Sequence, residues 1–180
     1  MWLGFEQAYI GADFTKSFVT CTKGINYVGY TMICYGVTDV IGSYLFGLLA
    51  KYLGRITCIM IGAVLNFSMI FLMLFWQPNN EQIYVLFIIP VCWGLADAAW
   101  QTQINSVYGI LFPDTHEEAF SNFRLWESIG FAVAYAYSNF ICTSFKLYLL
   151  LGYLIFGVAC FLIIELMQLI EKKRKITYKL

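Results

Sequence analysis

The chain alternates long apolar runs with short polar breaks, and the lengths of the runs predict membrane-spanning helices. A helix needs about 20 mostly apolar residues to cross the hydrocarbon core of a bilayer. Five segments reach that length: residues 25–50, 56–76, 83–112, 121–142 and 147–170. The third contains Pro90, which favours a kink. The fourth is the least apolar, because it opens with Arg124 and Glu127.

Residues 1–24 follow a different pattern, since Glu6, Asp13 and Lys16 interrupt their apolar positions. No basic region precedes a clean apolar core, so we do not expect this segment to be a secretory signal peptide. We interpret residues 1–24 as the outer end of a partial helix followed by an external loop. Residues 25–170 then form a half-bundle of five transmembrane helices, and residues 171–180 form a basic tail. The predicted fold is an all-α, polytopic membrane helix bundle.

The composition supports an integral membrane protein. Hydrophobic residues make up 61% of the chain, charged residues 12%, and the mean hydropathy is +0.71, which is far from the composition of a soluble domain. The six cysteines show no paired-cysteine metal spacing, and cysteine inside a membrane helix is usually a small apolar residue. A disulfide between Cys21 and Cys142 is conceivable because both lie near helix ends, but their helices need not meet.

The basic residues fall mostly on one side of the predicted spans. One side holds Lys51, Arg55, Arg124 and the tail residues Lys172, Lys173, Arg174, Lys175 and Lys179, whereas the other holds Lys16, Lys23 and Lys146. The positive-inside rule therefore predicts a cytoplasmic C-terminus. The pattern leaves open whether the membrane is the plasma membrane or an endomembrane. We interpret the basic tail as an anchor of the last helix rather than a dedicated lipid-binding segment.

Polar residues at membrane depth are candidates for function. Asp97, Gln101 and Asn105 follow i, i+4, i+8 spacing and share one face of the third span. One interpretation is a path for a solute, ion or proton, because intramembrane ionisable groups often mark such paths. The other is a set of hydrogen bonds that locks helices or a partner together. For Asp97 both interpretations remain open.

Three further charged residues lie within or near the predicted spans. Asp39 shares a face of the first span with Tyr35, and Arg124 and Glu127 are spaced i, i+3, so they can pair within one helix. We favour a structural role for Asp39 and Glu127, because both lie near the predicted cytoplasmic third of the membrane.

The short loop between the first two spans reads Gly47-Leu48-Leu49-Ala50-Lys51-Tyr52-Leu53-Gly54-Arg55. It resembles the major facilitator superfamily loop pattern G-x-L-a-D-r-x-G-R, with Lys51 in the acidic position. Gly47 and Gly54 are expected to let the turn approach neighbouring helices closely. An ordinary short basic loop is the alternative.

Two more stretches resemble one family within that superfamily. Residues 13–17, with Gly24 and Tyr30 after them, resemble the junction of helices seven and eight in the uncoordinated-ninety-three (Unc) family. The run Gly94-x-x-Asp97-Ala98-x-Trp100-Gln101-Thr102-Gln103-x-Asn105 resembles that family's tenth helix. The resemblance implies the C-terminal half of a twelve-helix, major facilitator-like protein, with residues 1–14 as the end of helix seven.

The major facilitator fold places its substrate cavity between two halves. We therefore expect that the 180-residue chain does not transport a solute by itself. A free half is also expected to expose its inner polar face, unless the N-terminal half or another membrane protein covers it.

No constellation for catalysis appears. His116 is the only histidine and lies in an acidic loop, with Ser121 well placed as the N-cap of the next helix. Neither a phosphate-binding loop nor a nucleophile elbow is present, so we expect no enzyme, cofactor, metal site or nucleic-acid partner.

Two classes of function remain. The resemblance implies a regulatory or escort subunit for a potassium channel or a membrane receptor, with the bilayer and that membrane protein as partners. The alternative is a proton- or ion-coupled secondary transporter of a small solute, which Asp97 favours.

Overall fold

The computed structural model describes residues 1–76, 82–138 and 140–177, and these form helices without a β-strand. The helices are α1 (Trp2–Ala8), a π-helical segment (Tyr9–Thr20), α2 (Cys21–Lys23), α3 (Asn26–Leu53), α4 (Arg55–Phe75), α5 (Ile83–Leu111), α6 (His116–Ser138) and α7 (Thr143–Thr177). The predicted all-α membrane bundle is confirmed, and the chain is a multi-pass membrane protein.

Four of the described helices are long and apolar enough to cross a bilayer: α3, α4, α5 and residues Thr143–Ile170 of α7. The predicted fourth span, residues 121–142, corresponds to α6. This helix has 23 residues, which is long enough, but it falls short in apolar character because its first half carries Glu117, Glu118, Arg124 and Glu127. Four of the five predicted spans are therefore apolar helices, and the remaining one, α6, is more polar.

The chain is helical without interruption from Trp2 to Lys23, and we call α1, the π-helical segment and α2 together the N-terminal helix. The sequence predicted a partial helix to about Phe14 and an external loop after it, so the helix extends further than expected. Leu3, Phe5, Phe14 and Val19 are almost completely buried, which places this helix inside the bundle. The charges that interrupted its apolar pattern did not end the helix, because Glu6 and Asp13 find partners on other helices.

Glycine shapes the turns. α3 and α4 are joined by Gly54 alone, whose φ is 82°, and Gly24 before α3 has a φ of 88°. Residues with a side chain rarely adopt such positive φ values. A Cβ atom on Gly47 or Gly54 would meet nothing within 4 Å. The expectation that these two glycines serve close helix approach is therefore wrong within the described residues, and Gly54 is required by its backbone conformation.

Close approach occurs at other glycines. α3 packs along α5, where a Cβ atom on Gly94 would overlap Thr38 Oγ1 and the carbonyl oxygen of Tyr35. A Cβ atom on Gly62 of α4 would lie 3.0 Å from Ala99 Cβ, and one on Gly130 of α6 would lie 2.8 Å from the carbonyl oxygen of Met1. Small residues thus let α5 and the N-terminal helix contact their neighbours backbone to backbone.

The start of α6 also differs from expectation. The helix begins at His116 and its first turn is closed by the Ala119 N–H group, which donates to the Thr115 carbonyl oxygen at 3.1 Å. Ser121 lies inside the helix and is not its N-cap. Polar residues 116–118 remain helical because acidic side chains in a first turn interact favourably with the positive end of the helix dipole.

Candidate functional site

Five polar side chains from four helices meet inside the bundle. We call this group the central carboxylate cluster; its members are Glu6 and Gln7 of α1, Tyr35 of α3, Asn66 of α4 and Asp97 of α5. Tyr35 is held near Asp97 because α3 packs on α5. Glu6 and Gln7 are held there because the N-terminal helix contacts both α3 and α5. Asp97 lies near the middle of α5, so the cluster lies at depth in the bundle.

Asp97 is 1% exposed and accepts three hydrogen bonds. Gln7 Nε2 donates to Oδ1 at 3.2 Å and to Oδ2 at 3.0 Å, and the Tyr35 hydroxyl donates to Oδ2 at 2.5 Å. Hydrogen bonds to a carboxylate are stronger than those between neutral groups. The burial cost of Asp97 is therefore offset by donors from two other helices.

Glu6 is completely buried and makes one hydrogen bond, accepting from Asn66 Nδ2 on Oε1 at 2.8 Å. Asn66 is also completely buried. Glu6 Oε2 and Asn66 Oδ1 have no hydrogen-bonding partner within the described part of the chain. Sequence reasoning missed both residues: Glu6 lay in a segment interpreted as a partial helix, and Asn66 stands alone in an apolar span.

The donors in the central carboxylate cluster are neutral amides and a phenol. Among the described residues, neither Glu6 nor Asp97 forms an ion pair with a lysine, arginine or histidine. Asp39, a turn after Tyr35 on α3, is half-buried, and its Oδ1 has no partner among those residues. In the described part of the chain, the arrangement therefore concentrates carboxyl groups without a compensating cation.

The predicted polar stripe on α5 is only partly realised. Asp97 joins the cluster, whereas Gln101 and Asn105 are half-buried, and Asn105 Oδ1 lacks a partner among the described residues. Tyr108, further along the same face, packs against Phe112, Phe120 and Phe123. The stripe ends in an aromatic contact and does not form a continuous polar path in the described residues.

The structure also corrects the expectation of an exposed inner polar face at Asp97, whereas Gln101 and Asn105 are half-buried. Glu6, Asn66 and Asp97 are at most 1% exposed, because the N-terminal helix covers them. The sequence analysis treated that segment as a partial helix followed by an external loop, so its covering role was not expected.

A second polar group lies at the end of the bundle where the N-terminal helix meets α7. Lys146 Nζ donates to Asp13 Oδ1 at 2.5 Å and to the Ser138 carbonyl oxygen at 2.6 Å, and Ser138 Oγ donates to the same Asp13 oxygen at 2.9 Å. Lys146 was counted as a loop charge in the sequence, yet it is 2% exposed. Ser17 and Thr143 also contact each other, so these helices do meet, although Cys21 and Cys142 are free thiols.

At the opposite end, Arg55 ties the start of α4 to α7. Its Nη2 donates to Glu165 Oε1 and to Gln168 Oε1, each at 2.9 Å. Of the other loop-motif residues, Lys51, Gly47 and Gly54 are exposed. Of the loop-motif residues, Arg55 therefore joins α4 to α7, and Glu165 is its buried partner.

Arg124 and Glu127 form the predicted i, i+3 pair, with 2.5 Å between Nη1 and Oε2. Arg124 is exposed, whereas Glu127 is 5% exposed. Glu127 lies beside the N-terminal helix, because a Cβ atom on Gly4 would overlap the Glu127 carbonyl oxygen. This pair therefore belongs to the contact between α1 and α6.

An apolar cavity of about 460 Å³ lies between the N-terminal helix and α5, α6 and α7. Its lining includes Trp2, Trp100, Phe123 and Phe161 and contains no carboxylate. It is separate from the central carboxylate cluster. Within the described residues, no group of three or more histidine, cysteine or acidic residues is arranged to hold a metal ion.

Comparisons with known proteins place these features in a family. The sequence profile described as "Ion channel regulatory protein UNC-93" matches residues 8–162. Protein unc-93 homolog A of Xenopus laevis is 47% identical over 174 residues, which are 97% of this chain and 38% of that protein. The human protein of the same name is 42% identical over 93% of this chain and 37% of its own length.

More distant relatives carry related names. The putative potassium channel regulatory protein unc-93 of Caenorhabditis elegans is 34% identical over 90% of this chain and 23% of its own length. The UNC93-like protein MFSD11 of Xenopus laevis is 30% identical over 91% of this chain. No solved structure matches the chain. The chain spans less than half the length of each of these relatives, and the extent of these matches shows that it belongs to the UNC-93 family.

Proposed function

We propose that the chain acts within a regulatory or escort subunit for an ion channel, with a potassium channel as the first candidate, or for a membrane receptor. The observation that carries this proposal is family membership, because the family description names an ion channel regulatory protein. The printed name of the C. elegans relative specifies a potassium channel. These names describe regulation rather than catalysis.

The exposed side of α3 supports a role in contacts with other membrane proteins. α3 is the least covered of the four apolar membrane helices. Ile33, Val37, Val40 and Tyr44 form a continuous exposed face at helical spacing, opposite the face that packs on α5. We call these four residues the outward face of α3. In a membrane such a face contacts lipid or another helix.

In this proposal the central carboxylate cluster locks helices together. Asp97 and Glu6 accept hydrogen bonds from donors inside the chain, whereas Gln101 and Asn105 keep amide groups at half-buried positions. We also propose a cytoplasmic C-terminus, supported by the basic residues at that end of the bundle, among them Arg55 and Arg124.

Co-expression with potassium channels tests the proposal. We expect the chain to change whole-cell current or the amount of channel at the surface, and Val40→Trp on the outward face of α3 to weaken that change. Val64→Trp on α4, also exposed, is the matched control. A current and surface level that stay the same with and without the chain, across channels and receptors, would contradict it.

The second candidate function is a proton- or ion-coupled secondary transporter, favoured by two carboxyl groups buried among neutral donors. Asp97→Asn separates the candidates. A coupled transporter loses transport with normal expression and assembly, because the group that carries the ion or proton is gone. A regulator keeps its effect on the partner as long as the Asp97→Asn variant still folds.

A further inference from the structure

The contact between Glu6 and Asn66 has an unusual hydrogen-bond balance. One bond joins the groups, from Asn66 Nδ2 to Glu6 Oε1. The remaining oxygen of each group, Glu6 Oε2 and Asn66 Oδ1, is buried without a partner among the described residues. Both are acceptors when Glu6 is ionised, so neither can satisfy the other. A buried polar atom without a partner is unfavourable, and more so if it is charged.

We propose that a single proton removes both deficits. Glu6 binds the proton on Oε2, and this O–H group donates a hydrogen bond to Asn66 Oδ1, so that a carboxylic acid and an amide close a ring of two hydrogen bonds. The contact between the N-terminal helix and α4 is then a buried proton-binding site. This inference does not depend on whether the chain regulates a channel or transports a solute.

The surroundings of Glu6 favour the neutral acid. Among the described residues, the ionisable groups whose charge acts on it are Asp97 on α5 and Asp39 and Tyr35 on α3, while on α6 the Arg124–Glu127 ion pair lies next to α1. The α7 side contributes Tyr153, which stacks on Phe5. The described groups whose charge acts on Glu6 include no cation, and a second buried negative charge beside Asp97 would be repelled.

Asp97 does not need this proton. Its two oxygens already accept from Gln7 and Tyr35, so a negative charge there is stabilised by three hydrogen bonds. Glu6 has one donor and a neighbouring amide oxygen that requires another. The proton is therefore placed on Glu6. A metal ion fits the site less well, because the described residues offer no group of three or more suitable histidine, cysteine or acidic ligands.

Infrared spectroscopy of the purified 180-residue chain in lipid bilayers tests the site directly. A protonated carboxyl group absorbs apart from carboxylates and shifts in D2O. At neutral pH we expect such a band in the unmodified chain and its loss in Glu6→Gln. Glu118→Gln, at an exposed position at the start of α6, is the matched control and leaves the band unchanged.

Glu6→Gln also mimics the proposed state, because its amide can donate to Asn66 Oδ1 and its carbonyl can accept from Asn66 Nδ2. We therefore expect folded yield equal to that of the unmodified chain, whereas failure to fold contradicts the proposal. Asn66→Leu keeps Glu6 and is expected to shift the band towards a weaker hydrogen bond. A band that survives Glu6→Gln, or disappears only in Asp97→Asn, overturns the assignment.

Discussion

Lys146 of α7 donates a 2.5 Å hydrogen bond to Asp13 of the N-terminal helix, although the two residues are 133 positions apart in the sequence. Both side chains are nearly removed from solvent, with 3% and 7% exposure. Ser138, the last residue of α6, donates to the same carboxylate oxygen. One charge pair thus joins three helices at one end of the bundle.

Breaking this pair is expected to be costly. Lys146→Met leaves Asp13 buried without its cation, and removal of one partner of a buried ion pair destabilises proteins by about 3–5 kcal/mol. The free energy of unfolding, measured by denaturant titration in mixed micelles, should fall by that order. The double variant Lys146→Met/Asp13→Leu should recover most of it, since no unpaired charge remains.

Lys51→Met is the control for this loss, because Lys51 is exposed at the opposite end of the bundle. A surface substitution of this kind changes stability by about 0.5 kcal/mol or less. Equal losses in Lys146→Met and Lys51→Met would show that the ion pair does not hold the three helices together.

Gly94 sets the separation of α3 and α5. In Gly94→Ala the new methyl group overlaps the Tyr35 carbonyl oxygen and Thr38 Oγ1, so the helices must move apart. Overpacking typically costs about 1–3 kcal/mol. Gly109→Ala is the matched control on the same helix, because nothing lies within 4 Å of its new Cβ atom. Unfolding titrations that rank the two variants equally would contradict a tight contact at Gly94.

The Tyr35 hydroxyl supplies one of the three hydrogen bonds on Asp97. Tyr35→Phe removes only that oxygen, and a hydrogen bond to a charged group contributes about 1.5–3 kcal/mol. We expect a loss of stability of that size in the same titration. Tyr44→Phe, on the outward face of α3, should have no measurable effect, because Tyr44 is 72% exposed. The prediction fails if both variants behave like the unmodified chain.

Apolar length and periodicity were sufficient to predict the membrane bundle, the bounds of α3, α4 and α5 to within a few residues, and Asp97 as a buried polar group. They were insufficient to predict the full length of the N-terminal helix. A charged residue in an apolar helical pattern suggests that the helix ends there, unless the residue that pairs with the charge is known. Glu6 pairs with Asn66, 60 positions away, and Asp13 with Lys146. Such pairings depend on tertiary packing, which no local pattern in one sequence contains.

The dependence on tertiary packing also explains why the contact made by the loop motif was not predicted. Arg55 was predicted as part of the loop motif on the basic side of the spans, but its pairing with Glu165 between α4 and α7 was not predicted. Gly54 was assigned to close packing, whereas its φ of 82° explains the glycine. The sequence motif thus drew attention to Arg55 and missed the contact that Arg55 makes with α7.

A double-mutant cycle tests whether Arg55 and Glu165 stabilise the bundle together. Their side chains are 21% and 9% exposed, so water screens the pair in part. Exposed ion pairs contribute up to about 1 kcal/mol, and this more buried one should reach at least that value.

The cycle combines Arg55→Gln and Glu165→Gln, because each keeps a polar side chain of similar length. Pairing Lys51→Gln with Glu165→Gln is the control, since Lys51 shares the loop but is exposed. We expect a coupling energy in the first cycle and none in the second, because residues without a shared contact act additively. Additive losses in both cycles would mean that Arg55 anchors α4 at the membrane surface without joining it to α7.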